Sequence, residues 1–124
     1  MSDTDGQPAD ESSDRKILRV DIRLDGGIAV IALSGELDLN GTGQVSDGVS
    51  LALDAGAKTV GFDLGDLDFI DSSGIRAIVI AQGDCRAAGV RLQIVGSSAR
   101  VARALELNGV EDLFPGPATA STDQ

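Results

Sequence analysis

Histidine, tryptophan and tyrosine are absent from this 124-residue chain, which carries three phenylalanines and one cysteine. Without histidine the usual Ser-His-Asp triad cannot be assembled, and the G-x-S-x-G nucleophile elbow is missing as well, so a serine hydrolase of the triad type is excluded. A single cysteine, Cys85, rules out an internal disulfide, and its spacing fits a small buried apolar residue. Aromatics make up 2% of the chain against 42% for all hydrophobic residues, so the core must be packed mainly from aliphatic side chains. Basic residues are also scarce: 10 face 20 acidic ones, for a net charge of −10. Nucleic acids and anionic membranes are bound through Lys and Arg, so neither is expected as a partner. No apolar run reaches the length of a membrane span, and no signal-peptide core is visible. A cytoplasmic protein is the expectation.

What is present is organised around Val60–Gly74, VGFDLGDLDFIDSSG. Val60, Phe62 and Leu64 alternate with Gly61 and Asp63, the period of a strand. An acidic loop with Asp66 and Asp68 is expected next, then Phe69 and Ile70 turned inward. From Ile75 to Ala88 the period is helical, with Ile78, Ala81, Cys85 and Ala88 on one face. Asp71-Ser72-Ser73-Gly74 thus falls at a strand-to-helix junction. Asp and Ser favour that place because their oxygens accept the free N–H groups of a first helical turn.

The rest of the chain reads as follows. Residues 1–14 are acidic and aperiodic and read as a disordered tail; residues 15–114 form one domain, and 115–124 a flexible tail. Leu18–Leu24 alternates strictly and is a half-buried strand. Asp25-Gly26-Gly27 is a turn signal, and Ile28–Leu33 a more buried strand, so the two should pair as a hairpin. Ser34–Thr42 is expected as a loop containing Gly35-Glu36-Leu37-Asp38. A helix should run from about Asn40–Thr42 to Ala55, with Val45, Val49, Ala52 and Leu53 buried and Gly56 as its stop. Thr59–Leu64 and Arg91–Val95 are further strands. Ser97 or Ser98 should cap a last helix ending at Asn108-Gly109, with Val101, Ala102 and Leu105 inward, Val110 at its stop, and Leu113 and Phe114 packed back. The order β-β-α-β-α-β-α implies right-handed parallel crossovers and one α/β domain, a mixed sheet of about four to five strands with an N-terminal antiparallel hairpin.

The segment D-L-x-x-L-x-F-I-D-S-S-G, followed by an apolar helix, resembles the phosphorylation-site segment of STAS domains, and in particular of the bacterial anti-sigma factor antagonists. Gly35-Glu36-Leu37-Asp38 matches the family's second motif, and the likeness runs from about Leu18 to Phe114. The resemblance implies helices packed mainly on one side of the sheet. It implies that Ser72, directly after Asp71, is the phosphorylated residue, and that Glu36, Asp38, Asp71, Ser72, Ser73 and Gly74 lie in a partner-binding region. It also implies the partners: an anti-sigma factor that is a serine kinase, and a PP2C-type serine phosphatase. The unphosphorylated chain would bind the kinase and free a sigma factor. ATP would belong to the kinase, and neither an enzyme nor a cofactor is expected in this chain. A STAS scaffold, or an accessory subunit of a stress-sensing or lipid-transport complex, is the alternative.

Read from the residues alone, Ser72, Ser73 and Asp71 are all candidate helix caps, and Glu36 and Asp38 are solvated acids. With the resemblance, Ser72 becomes the modified hydroxyl and Ser73 the structural cap. Two other patterns carry less. Asp63, Asp66 and Asp68 lack the D-x-D-x-D-G spacing of a calcium loop and its bidentate Glu. Gly41-Thr42-Gly43 precedes a helix, but Ser46 stands where a dinucleotide fingerprint needs glycine.

Overall fold

The computed structural model describes residues 17–109. The expectations for both tails, and for Val110, Leu113 and Phe114, lie outside the described residues. The elements are strand β1 (Arg19–Asp25), strand β2 (Ile28–Leu37), a 3-10 turn (Leu39–Gly41), helix α1 (Thr42–Asp54), strand β3 (Thr59–Ile70), helix α2 (Ser72–Ala87), strand β4 (Arg91–Ser97) and helix α3 (Ala99–Leu107). The strands form one sheet in the order β1-β2-β3-β4. β1 and β2 are antiparallel and joined through Gly26-Gly27, as the turn signal requires; β2, β3 and β4 run parallel. This is the mixed sheet with three helices that the order of periods implies.

The core lies on one face of the sheet. Ala29, Ile31 and Leu33 of β2 and Val60, Phe62 and Leu64 of β3 are buried there, under Val45, Val49 and Ala52 of α1 and Ile75, Ile78, Ala81 and Cys85 of α2. Val101 and Leu105 of α3 join the same cluster. Fully burying a side chain such as Ile78 is worth about 1.5–3 kcal/mol, which is why the helical phase of α2 is set by its apolar stripe. Burial pushes the Cys85 thiol up from its ordinary pKa, and neighbouring Asp84 adds to the shift.

The structure corrects the sequence reading at several points. β2 does not stop at Leu33: it continues through Ser34–Leu37 with Leu33, Gly35 and Leu37 buried, so most of Gly35-Glu36-Leu37-Asp38 is strand and not loop. Ile28, Val30 and Ala32 are also less buried than a continuous core strand would have them. β3 likewise runs unbroken from Thr59 to Ile70, so Asp66 and Asp68 sit in a strand. The register slips twice against β2, between the pairs Ala32–Asp63 and Ser34–Asp66, and between Gly35–Leu67 and Glu36–Phe69. Each slip is a bulge that adds residues to β3 and turns its face. Phe69 is therefore 40% exposed rather than buried. Ala88 is exposed too, because it is the C-terminal cap residue of α2.

Candidate functional site

The bulges bring the two motifs into contact. The last pairs of β2 with β3 are Glu36–Phe69 and Leu37–Ile70; β3 ends there, and Asp71 follows it. The Asp71 N–H donates to the Leu37 carbonyl over 3.2 Å, so the end of β2 is tied to the start of α2. Gly74 completes the fit. A Cβ at this position would lie 2.7 Å from the Leu37 carbonyl oxygen and from Leu37 Cγ, and 2.8 Å from Ile70 Cγ1. No side chain can be accommodated there without moving β2 or α2, so glycine is what lets the helix begin flush against the strand end.

The cap of α2 is Asp71, and neither serine. Asp71 has extended backbone, and its Oδ1 accepts the Gly74 N–H at 3.0 Å. The expectation that Ser73 is the structural cap is thereby corrected. A carboxylate ahead of the serines takes the free N–H groups first, and its charge also suits the positive end of the helix dipole. Ser72 is left at the first helical position, exposed, and Ser73 at the second, half-buried. Asp38 repeats the device one loop away: its carboxylate accepts the Asn40 N–H at 3.0 Å and caps the 3-10 turn. Asp38, Asp71, Ser72, Ser73 and Gly74 therefore lie together at the end of the sheet where β2 and β3 finish. Glu36 is at the same end, but as the register partner of Phe69 it lies on the sheet face away from the core.

Three features here were not anticipated from the sequence. Phe69 and Leu39, the latter 70% exposed, are apolar residues at the surface beside the motif. A groove of about 410 Å³ also opens between α1 and α2, lined by Leu39, Thr42, Ser46, Ser73, Arg76 and Ile80 among others. Large apolar residues in a sequence read as core, and only the turn of the 3-10 segment and the bulges of β3 put these at the surface. Among the described residues no group of three or more His, Cys, Asp or Glu side chains is placed to hold a metal ion. Asp63 instead accepts the Gly65 N–H at 3.0 Å. No helix among those residues is long and apolar enough to cross a membrane.

Fold and site together define a small α/β domain that presents a serine hydroxyl at a helix start, held by a second motif on the neighbouring strand. The STAS domain model matches residues 19–123, and the chain belongs to the STAS domain family. It is 26% identical over 89 residues to BtrV of Bordetella bronchiseptica, a protein named as an anti-sigma factor antagonist; the match spans 72% of this chain and 77% of that one. In fold it is similar to an anti-sigma factor antagonist from Mycobacterium paratuberculosis, with a TM-score of 0.72 and 18% identity over 86% of this chain and 96% of that one. It is also similar to the anti-sigma factor antagonist SpoIIAA in its unphosphorylated form, with a TM-score of 0.67, 24% identity and coverage of 79% and 87%. Against the phosphorylated form of the same protein from Bacillus the TM-score is 0.62, with 21% identity and coverage of 79% and 90%.

Proposed function

We propose that the chain is an anti-sigma factor antagonist: a non-enzymatic binding module that, unphosphorylated, captures an anti-sigma factor serine kinase and frees a sigma factor. The observation that carries this reading is the exposed Ser72 at the first position of α2, its hydroxyl spared from capping by Asp71. A kinase can reach it without unfolding anything. The γ-phosphoryl group of ATP, held by the kinase, passes to Ser72 Oγ; ADP leaves and the hydroxyl proton is released. The phosphate brings about −1.5 to −2 charges to a sheet end that already carries Asp38 and Asp71. An interface fitted to a neutral hydroxyl would then face like-charge repulsion and a desolvation cost, and the complex would come apart. A PP2C-type phosphatase would reset the chain. The resemblance of both motifs, the name of BtrV and the two forms in which SpoIIAA has been solved support this assignment.

The test is incubation of the purified chain with its cognate kinase and ATP, with the phosphate mapped by mass spectrometry and kinase affinity measured before and after. Ser72→Ala should bind and fail to release, whereas Ser72→Glu should bind poorly. Phosphate on Ser73 alone would overturn the residue assignment. Equal affinity of the two Ser72 variants would overturn the switch.

A further inference from the structure

A phosphate on Ser72 needs a counter-charge, and the sequence of α2 supplies one a helical turn away. Arg76 lies four residues after Ser72, is exposed, and forms part of the wall of the groove between α1 and α2, beside Ser73 and Ile80. Residues four apart on a helix are surface neighbours, with Cβ atoms about 5–6 Å apart. Side chains on a helix lean toward its N-terminus, so a side chain as long as that of Arg76 can reach back over the turn that carries Ser72. The order is also favourable: an anion on the N-terminal side of a cation agrees with the helix dipole. A guanidinium is well matched to phosphate because its parallel N–H groups can bind two oxygens at once.

We propose that Arg76 is the internal counter-ion of a phosphate on Ser72, and that forming this pair draws its guanidinium from the groove wall to the start of α2. Modification would then change two parts of the surface at once, the hydroxyl and the mouth of the groove. The inference rests on Ser72 being the modified residue.

The test uses the full chain with phosphoserine encoded genetically at position 72, so that no kinase is needed. Phosphorus NMR follows the second ionisation of the phosphate, ordinarily near pH 6. With Arg76 in place the midpoint should lie lower than in Arg76→Gln by roughly 0.3 of a pH unit, with Arg76→Lys in between. Arg86→Gln, about 21 Å along the helix from Ser72, should leave it where it was. The Arg76 Nε–H resonance should also move when Ser72 is replaced by phosphoserine. Equal midpoints for the Arg76 and Arg76→Gln chains would overturn the pair. So would a midpoint that responds to Arg100→Gln at the start of α3 and not to Arg76→Gln. Either result leaves the kinase assay on Ser72 untouched, and a kinase that ignores Ser72 leaves the titration result standing, so the two readings fail separately.

Discussion

Two Ser-Ser pairs, Ser72-Ser73 and Ser97-Ser98, stand where a parallel strand gives way to the helix that follows, and they do opposite things. At the start of α3, Ser98 is the cap: its half-buried hydroxyl donates to the Leu67 carbonyl at 2.8 Å and accepts the Val101 N–H at 3.4 Å. Ser97, beside it, donates to the Ser98 carbonyl at 3.0 Å. Both hydroxyls are used up by the fold. At the start of α2, Asp71 caps in place of a serine, and Ser72 is exposed. The residue at the cap position makes the difference. At α2 that position holds a carboxylate, which satisfies the helix start and leaves the Ser72 hydroxyl out of the cap. At α3, which starts two residues later relative to its pair, the cap position is Ser98 itself. The third helical position differs in the same sense: Gly74 presses α2 onto β2, while Val101 of α3 fills the core.

The comparison breaks most completely if α2 leaves the sheet. Ile78 is fully buried, and Ile78→Asp would leave an unpaired charge in the core, at a cost of about 3–5 kcal/mol against a total stability of roughly 5–15 kcal/mol. The expected result is loss of a cooperative thermal transition in circular dichroism. Ile80→Asp, two residues on and 54% exposed, should melt close to the parent chain and so fix the phase of the helix. Next in size is Gly74→Val. Its side chain would overlap Leu37 and Ile70, and overpacking of this kind costs about 1–3 kcal/mol. Urea unfolding should show the loss, and kinase binding should weaken with it because the two motifs are forced apart.

The caps come third, and they sharpen the contrast directly. Asp71→Ala and Ser98→Ala each remove a side-chain cap and should each cost about 0.5–2 kcal/mol in urea unfolding. Asp71→Asn should restore most of the stability, since Asn caps as well as Asp. If Asp71→Ala is neutral while Ser98→Ala is costly, the carboxylate is not the cap in solution and the spared hydroxyl of Ser72 needs another explanation.

Much of this was legible in the sequence, and the failures share one physical cause. The hairpin, the three helices and their glycine stops follow from periodicity and turn residues, and the burial of Ile78, Ala81 and Cys85 follows from the helical period. From the sequence β3 ends at Leu64, because Asp66 and Asp68 have the look of an acidic loop; in the structure its buried residues continue at Leu64, Leu67 and Ile70, a spacing that no regular strand has. Bulges create that spacing, and they depend on pairing with β2, which a single sequence does not display. Ser34 and Gly35 read as the start of a loop for a similar reason: Gly35 has φ +92°, yet it stays within the strand. The choice among Asp71, Ser72 and Ser73 as the cap could not be made from propensity, since all are good or adequate at that position. The hydrogen bond to Gly74 decides it.

Ser73 gives the smallest effect and the finest test. As the second serine of its pair it corresponds to Ser98, and a reading by analogy would make it equally important. The structure places it two residues past the cap, half-buried on the wall of the α1–α2 groove. Ser73→Ala should therefore change stability by no more than about 0.5 kcal/mol, well below Ser98→Ala measured in the same urea series. Phosphate transfer to Ser72 should remain complete in Ser73→Ala, because Asp71 still caps the helix and Ser72 keeps its place. A loss as large as that of Ser98→Ala would mean that the cap passes to Ser73 in solution. Asp71 would then be a free carboxylate beside the modified hydroxyl, and the two Ser-Ser pairs would be alike after all.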